Sequence, residues 1–67
     1  MTMRKRFAMR LKQLRQQREL TQAAMAKKMK FSVGYIARLE QGLHDPPLST
    51  VEKLAKALKI EVGELVA

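Results

Sequence analysis

Residues 20–42 read LTQAAMAKKMKFSVGYIARLEQG, and this run decides the fold. Thr21 suits an N-cap, its hydroxyl placed to accept from an orphan N–H of the next turn. A short helix over Gln22 to Met29 follows, with Met25 and Met29 four residues apart and turned inward as core filler. Ala23, Ala24 and Ala26 keep that helix thin. Helices meeting at a tight corner need a small residue where their backbones approach, and Ala26 fits the place. Ser32 is the next cap, opening a helix from Val33 to Gln41 whose Ile36 and Leu39 face the core, with Phe31 beside the turn. Gly42 can take the left-handed conformation that ends helices.

Outward from this pair the same logic holds. Phe7, Leu11 and Leu14 share one helix face, with Met3 a turn earlier, so the first helix is expected from about Arg4 to Glu19. After Gly42, His44-Asp45-Pro46-Pro47 cannot continue a helix and forms a stiff loop. Ser49 with Glu52 three residues on reads as a capping box that starts a fourth helix. Val51, Leu54, Ala55 and Leu58 are its apolar stripe, while Glu52, Lys53, Lys56 and Lys59 stay in water. Ile60, Val62 and Leu65 fit a short fifth helix near Val62 to Val66. The expected fold is all-α: a compact five-helix bundle, one domain over residues 1–67, with no strand, repeat or low-complexity segment.

Composition narrows the function. A chain of 67 residues buries only about 60% of its unfolded surface, so spare stability is limited. It has no cysteine and a single histidine, His44, which leaves no thiolate or histidine metal site and no Ser/His dyad. No cofactor and no catalysis are expected. No apolar run approaches the roughly 20 residues of a membrane span, and the basic start MTMRKRFAMR leads into LKQLRQQREL rather than a secretory core, so the expected place is the cytoplasm. Fourteen Lys and Arg against six Asp and Glu give a net charge of +8, which suits a polyanionic partner. Arg4, Lys5, Arg6, Arg10, Lys12, Arg15 and Arg18 all precede the first acid, Glu19, and Lys27, Lys28 and Lys30 follow it. For each of these, plain solubility and a role in that field are both open.

The run from Leu20 to Gly42 resembles the Cro/repressor-type (Xre-like) helix-turn-helix family of phage repressors, restriction–modification controllers and bacterial regulators. Leu20-Thr21-Gln22, Met25-Ala26, Ser32, Tyr35-Ile36, Leu39-Glu40 and Gly42 carry the likeness, with Pro47 and Leu54-Ala55-Lys56-Ala57-Leu58 beyond. The resemblance covers nearly the whole chain and implies a lambda-repressor-like DNA-binding domain, its second and third helices forming the helix-turn-helix. It further implies that the third helix lies in the major groove of double-stranded DNA.

Site residues follow from the same resemblance. Ser32, Val33, Gly34 and Arg38 occupy positions that face base edges or nearby phosphates. Thr21, Gln22 and Tyr35 match phosphate contacts, Gln22 also bracing the first residues of the third helix, and Gln41 with the loop after Gly42 should offer side-chain and backbone donors to the far strand. Arg38 is the one exposed residue of that helix able to pair bidentately with guanine, a contact worth roughly 1–3 kcal/mol of discrimination. Val33 can only meet a thymine methyl, and Gly34 permits close backbone approach. Arg15 and Glu40 match a partly buried ion bridge between the first and third helices, against two separate solvated charges. Two positions depart from the family pattern. Lys30 stands where a turn glycine is usual, at a cost of roughly 1 kcal/mol if left-handed but with a phosphate within reach. Ala24 stands where an acid often completes a capping box.

A transcriptional regulator of this kind would bind a palindromic operator as a homodimer, half-sites about one helical turn or roughly 34 Å apart. Val62, Leu65 and Val66 are the dimer candidates, with Ile60 beside them; the chain's own core is the better reading for Ile60 and Leu65, which leaves Val66 as the better contact. The competing reading is an antitoxin or other protein-interaction module, with a toxin or similar protein as partner and DNA secondary. A basic amphipathic peptide on an anionic membrane would account for the first helix alone.

Overall fold

The computed structural model describes residues 2–66; Met1 and Ala67, the outer ends of the expected domain, lie outside the described residues. Five helices follow in order: α1 Met3–Gln17, α2 Gln22–Met29, α3 Val33–Glu40, α4 Leu48–Leu58 and α5 Val62–Val66. Each contributes to one core, in which Leu11, Met25, Ile36, Leu39, Leu54, Leu58 and Leu65 are fully buried. α2 and α3 pack on each other as a pair; α1 backs α3, α4 backs α2, and α5 closes the bundle against α1 and α4. Ala26 is buried at the α2–α3 corner, as its size requires. Met3 departs from expectation: 77% exposed, it lies beyond the reach of the core that Phe7 and Leu11 fill.

Local chemistry fixes the helix starts. Thr21 Oγ1 accepts from the Ala24 N–H at 2.9 Å and Ser32 Oγ from the Tyr35 N–H at 3.1 Å, both as expected. Thr2 caps α1 in the same way, accepting from the Lys5 N–H at 3.2 Å. The Ser49–Glu52 capping box does not form. α4 begins earlier, at Leu48, with Pro47 as N-cap and no side-chain hydrogen bond there. The Pro47 carbonyl instead accepts from the Thr50 and Val51 N–H groups at 2.9 and 3.1 Å. Burial of Thr50 and Val51 one turn before Leu54 holds the segment helical, so Ser49 lies inside the first turn, where a cap has no use.

The helix ends share one device. α1 to α4 each finish on a left-handed residue: Glu19, Lys30, Gly42 and Lys59, with φ of 56°, 60°, 76° and 59°. The next residue is apolar each time, and its N–H returns to a carbonyl five residues back: Leu20 to Arg15, Phe31 to Ala26, Leu43 to Arg38 and Ile60 to Ala55. Only Gly42 is spared the Cβ penalty; each of the other three costs roughly 1 kcal/mol or a little more. α1 therefore ends at Gln17 and α3 at Glu40, two residues and one residue short of expectation.

Candidate nucleic-acid interface

α3 is sharply two-sided. Ile36 and Leu39 are sealed in the core, whereas Ser32, Val33, Gly34, Arg38 and Gln41 are exposed. The residues expected to read bases are thus all open to solvent. A Cβ at Gly34 would lie 3.1 Å from Arg38 Nη1, so the guanidinium folds back along the helix over the glycine. No acidic residue stands on that face between Ser32 and Leu39. Lys30, left-handed at φ 60° and ψ 36°, is exposed at the turn that leads into it. Half-buried Tyr35 packs edge-on against Phe31 with ring centroids 5.3 Å apart, and its other side meets His44 at 6.3 Å. That sandwich fixes the ring while the Phe31 side is stiffened by Lys53, whose ammonium lies 5.4 Å over the Phe31 ring.

What holds α3 in place is a buried polar network. Arg15 Nε and Nη2 donate to the two Glu40 carboxylate oxygens at 2.6 and 3.0 Å, and Arg15 Nη1 donates to the Leu20 carbonyl at 2.6 Å. The two side chains retain only 10% and 3% exposure. The expected ion bridge is therefore present, bidentate and desolvated. Its hydrogen bond to Glu40 raises the Arg15 pKa above an already high value; burial opposes the rise and the carboxylate's charge adds to it, so the guanidinium stays cationic. Gln22 Nε2 donates to Glu40 Oε1 at 3.2 Å. One carboxylate thus gathers α1, the start of α2 and the end of α3. Gln22 was expected to brace the first residues of α3; its recorded bond is to the last.

Two further expectations change. The backbone donors just after α3 are spent on ending the helix: Gln41 N–H on Ala37 and Arg38, Gly42 N–H on Leu39, Leu43 N–H on Arg38. Within that segment Gln41 has only its side chain to offer. The basic run of α1 also divides. Arg10 Nε donates to the Glu64 carbonyl at 3.0 Å and Arg18 Nε to the Leu58 carbonyl at 2.7 Å, tying α1 to α5 and α4. Together with Arg15 they staple the fold, while the Arg18 side chain stays open to solvent. The sequence held no signal for the first two, because a backbone carbonyl acceptor leaves no mark on residue type. Leu65, one of the dimer candidates, is fully buried in the core and cannot meet a partner; Val62 is half-buried against the same core, and Val66 is 48% exposed.

A sequence profile of the helix-turn-helix domain matches residues 6–67. The chain belongs to the helix-turn-helix family. The immunity repressor of Bacillus phage phi105 is 42% identical to this helix-turn-helix chain over 57 residues, 85% of the chain but 40% of the repressor. The uncharacterised HTH-type transcriptional regulator y4dJ of Sinorhizobium fredii is 36% identical over 66 residues, 98% of the chain and 86% of y4dJ. Among solved structures, the restriction-modification controller protein C.AhdI from Aeromonas hydrophila matches with a TM-score of 0.89 at 34% identity, covering 92% of this chain and 94% of its own. These relatives agree with the Cro/repressor type named by the sequence motifs, and the all-helical architecture is shared. The chain spans less than half of the phage repressor it resembles, so what the rest of that repressor does belongs to the repressor.

Proposed function

We propose that this protein is a sequence-specific, double-stranded DNA-binding transcriptional regulator that reads the major groove with α3. The observation that carries the reading is the two-sidedness of α3: an exposed face free of acids, bearing Ser32, Val33, Gly34 and Arg38, with its far end clamped by Arg15, Glu40 and Gln22. Arg38 chooses among base steps and Val33 meets a thymine methyl. Thr21, Gln22, Lys30, Tyr35 and the Gln41 side chain hold phosphates, and the free N–H groups and positive dipole end of α2 favour the same anion. A face this sparse gives modest direct readout, so DNA shape supplies part of the preference.

The regulator acts as a homodimer on a palindromic operator, with exposed Val66 beside exposed Met3 as its partner contact. Both line one shallow groove with Phe7, Pro46 and Val51, edged by the Arg4–Asp45 ion pair. Its working place is the bacterial or phage-infected cytoplasm, at the nucleoid; among the described residues no helix is long and apolar enough to cross a membrane. Selection of bound sites from random DNA tests the whole reading. A recovered palindrome of fixed half-site spacing supports it, and a pool that stays random through the selection sinks it. Sedimentation with and without the selected duplex tests the dimer, which a monomer under both conditions would refute.

A further inference from the structure

A second surface shares only Lys30 with this reading. Two adjoining depressions lie where the end of α1, the last turn of α2 and the outer face of α4 meet, and they share Lys28 and Ala57, which makes them one trough. Its rim carries Arg18, Lys28, Lys30, Lys53, Lys56 and Lys59, all exposed. None of the residues that line it is acidic; Glu19 and Glu52, neighbours in sequence, do not line it. Between the cations the apolar surface is that of half-buried Leu20 and Ala57 and the edge of Met29, with Leu58 sealed beneath them.

Cations near helix C-termini stabilise the carbonyl ends of the helix dipoles, and that is the plain account of such a cluster. It does not stretch far enough. The carbonyls of Arg15 and Gln16, Ala26 and Lys27, and Ala55 and Lys56 already accept from the N–H groups that close α1, α2 and α4, and Arg18 adds a donor to Leu58. Lys53 precedes the last turn of α4 and sits over Phe31 instead. Six cations around one trough repel each other, no acid lines it, and Glu52, one turn before Lys56, offsets only part of that charge.

We infer that the trough docks an acidic amphipathic helix from a partner protein, its carboxylates on the lysine rim and its apolar side chains on the floor. A carboxylate-rich helix answers both features at once. A duplex does not: it offers phosphates and sugars and has nothing to lay on Met29 and Ala57. Position agrees. α2 points its start, Thr21 and Gln22, at the proposed DNA, and its last turn lies most of a helix length away, about 12 Å for eight residues. Lys30 is the one residue common to the trough and to the proposed DNA contacts, so the remainder of the trough receives the partner while α3 holds DNA; that simultaneity rests on the DNA reading, while the trough itself does not.

The test uses the full chain and a fluorescein-labelled helical peptide with leucines on one face and glutamates on the other, read by fluorescence anisotropy. Saturable binding is expected, with a polyglutamate of equal charge roughly tenfold weaker and the paired change Lys28→Glu with Lys56→Glu weakening the peptide roughly tenfold. A mixed-sequence duplex should leave peptide binding in place. Equal binding of polyglutamate, indifference to the charge reversal, or displacement by duplex overturns the inference. Amide NMR of the unaltered chain gives an answer independent of the variants' folding: the peptide should shift Met29 and Ala57, the duplex Gly34 and Arg38. A peptide that shifts Gly34 and Arg38 instead overturns the trough. A chain that takes the peptide but ignores every duplex supports the trough and refutes the DNA reading.

Discussion

Glu40→Ala is the substitution on which the architecture turns. It strands Arg15, whose guanidinium keeps only the Leu20 carbonyl, and it strips the Gln22 amide of its acceptor. Removing one partner of a buried pair typically costs about 3–5 kcal/mol, because the surviving charge stays desolvated. The lower end, about 3 kcal/mol, applies here, since Arg15 keeps 10% side-chain exposure and can swing toward water. A domain of this size holds roughly 3–10 kcal/mol in total. At about 4–8 °C per kcal/mol, the melting temperature should fall by at least about 12 °C. The readout is thermal and urea unfolding by far-UV circular dichroism, run beside the double variant Arg15→Met with Glu40→Leu. Apolar replacement of both partners removes the stranded charge and should recover most of the loss. A single variant melting within about 3 °C of the parent would show that the network contributes little. A double variant no more stable than Glu40→Ala would show that packing, not the uncompensated charge, was lost. DNA affinity at a temperature where Glu40→Ala is still folded should fall less than stability does, because Glu40 itself does not lie on the exposed face of α3.

Other consequences can be checked separately. Lys30→Gly should move two readouts in opposite directions, raising stability by up to about 1 kcal/mol as the left-handed strain goes, and lowering the salt slope of DNA binding by about one unit; a destabilised variant would refute the strain. Arg38→Ala should relax preference at one base step by roughly 1–3 kcal/mol in a competition assay with little change in unfolding, and an unchanged selected site would remove Arg38 as the chooser. Gly34→Ala should gain about 0.5–1 kcal/mol of stability from helix propensity, since only the movable Arg38 side chain crowds the new methyl, while binding to the selected site weakens; unchanged binding would mean that the backbone makes no close approach there. Ser32→Ala should cost about 1 kcal/mol and Ser49→Ala less than about 0.5, and equal losses would restore the capping box that α4 lacks.

The fold was legible wherever the determinant was local and periodic. The stripes Met25/Met29, Ile36/Leu39 and Leu54/Leu58 and the hydroxyls of Thr21 and Ser32 act within a turn or two of their own position, and each lies where its spacing demands. Ser49–Glu52 failed for the opposite reason: its signal was local, but burial of Thr50 and Val51 decides the start of α4, and that is a tertiary quantity. The left-handed ends at Glu19 and Lys59 escaped notice because side-chain type is a poor guide once packing of Leu20 and Ile60 fixes the chain's exit. Charge was the least legible property of all. In residues 4–18 seven basic side chains look alike on paper, yet Arg10 and Arg18 bond to the carbonyls of Glu64 and Leu58, and Arg15 to Glu40 and the carbonyl of Leu20. Arg4 pairs at 3.5 Å with exposed Asp45. Net charge therefore overstates the field that a duplex would meet at α3. Arg38 is the cation on that face and Lys30 stands at the turn before it, at one end of the trough whose rim carries the denser lysine cluster. A regulator built this way separates holding the fold, touching DNA and meeting a partner among residues that composition lumps together.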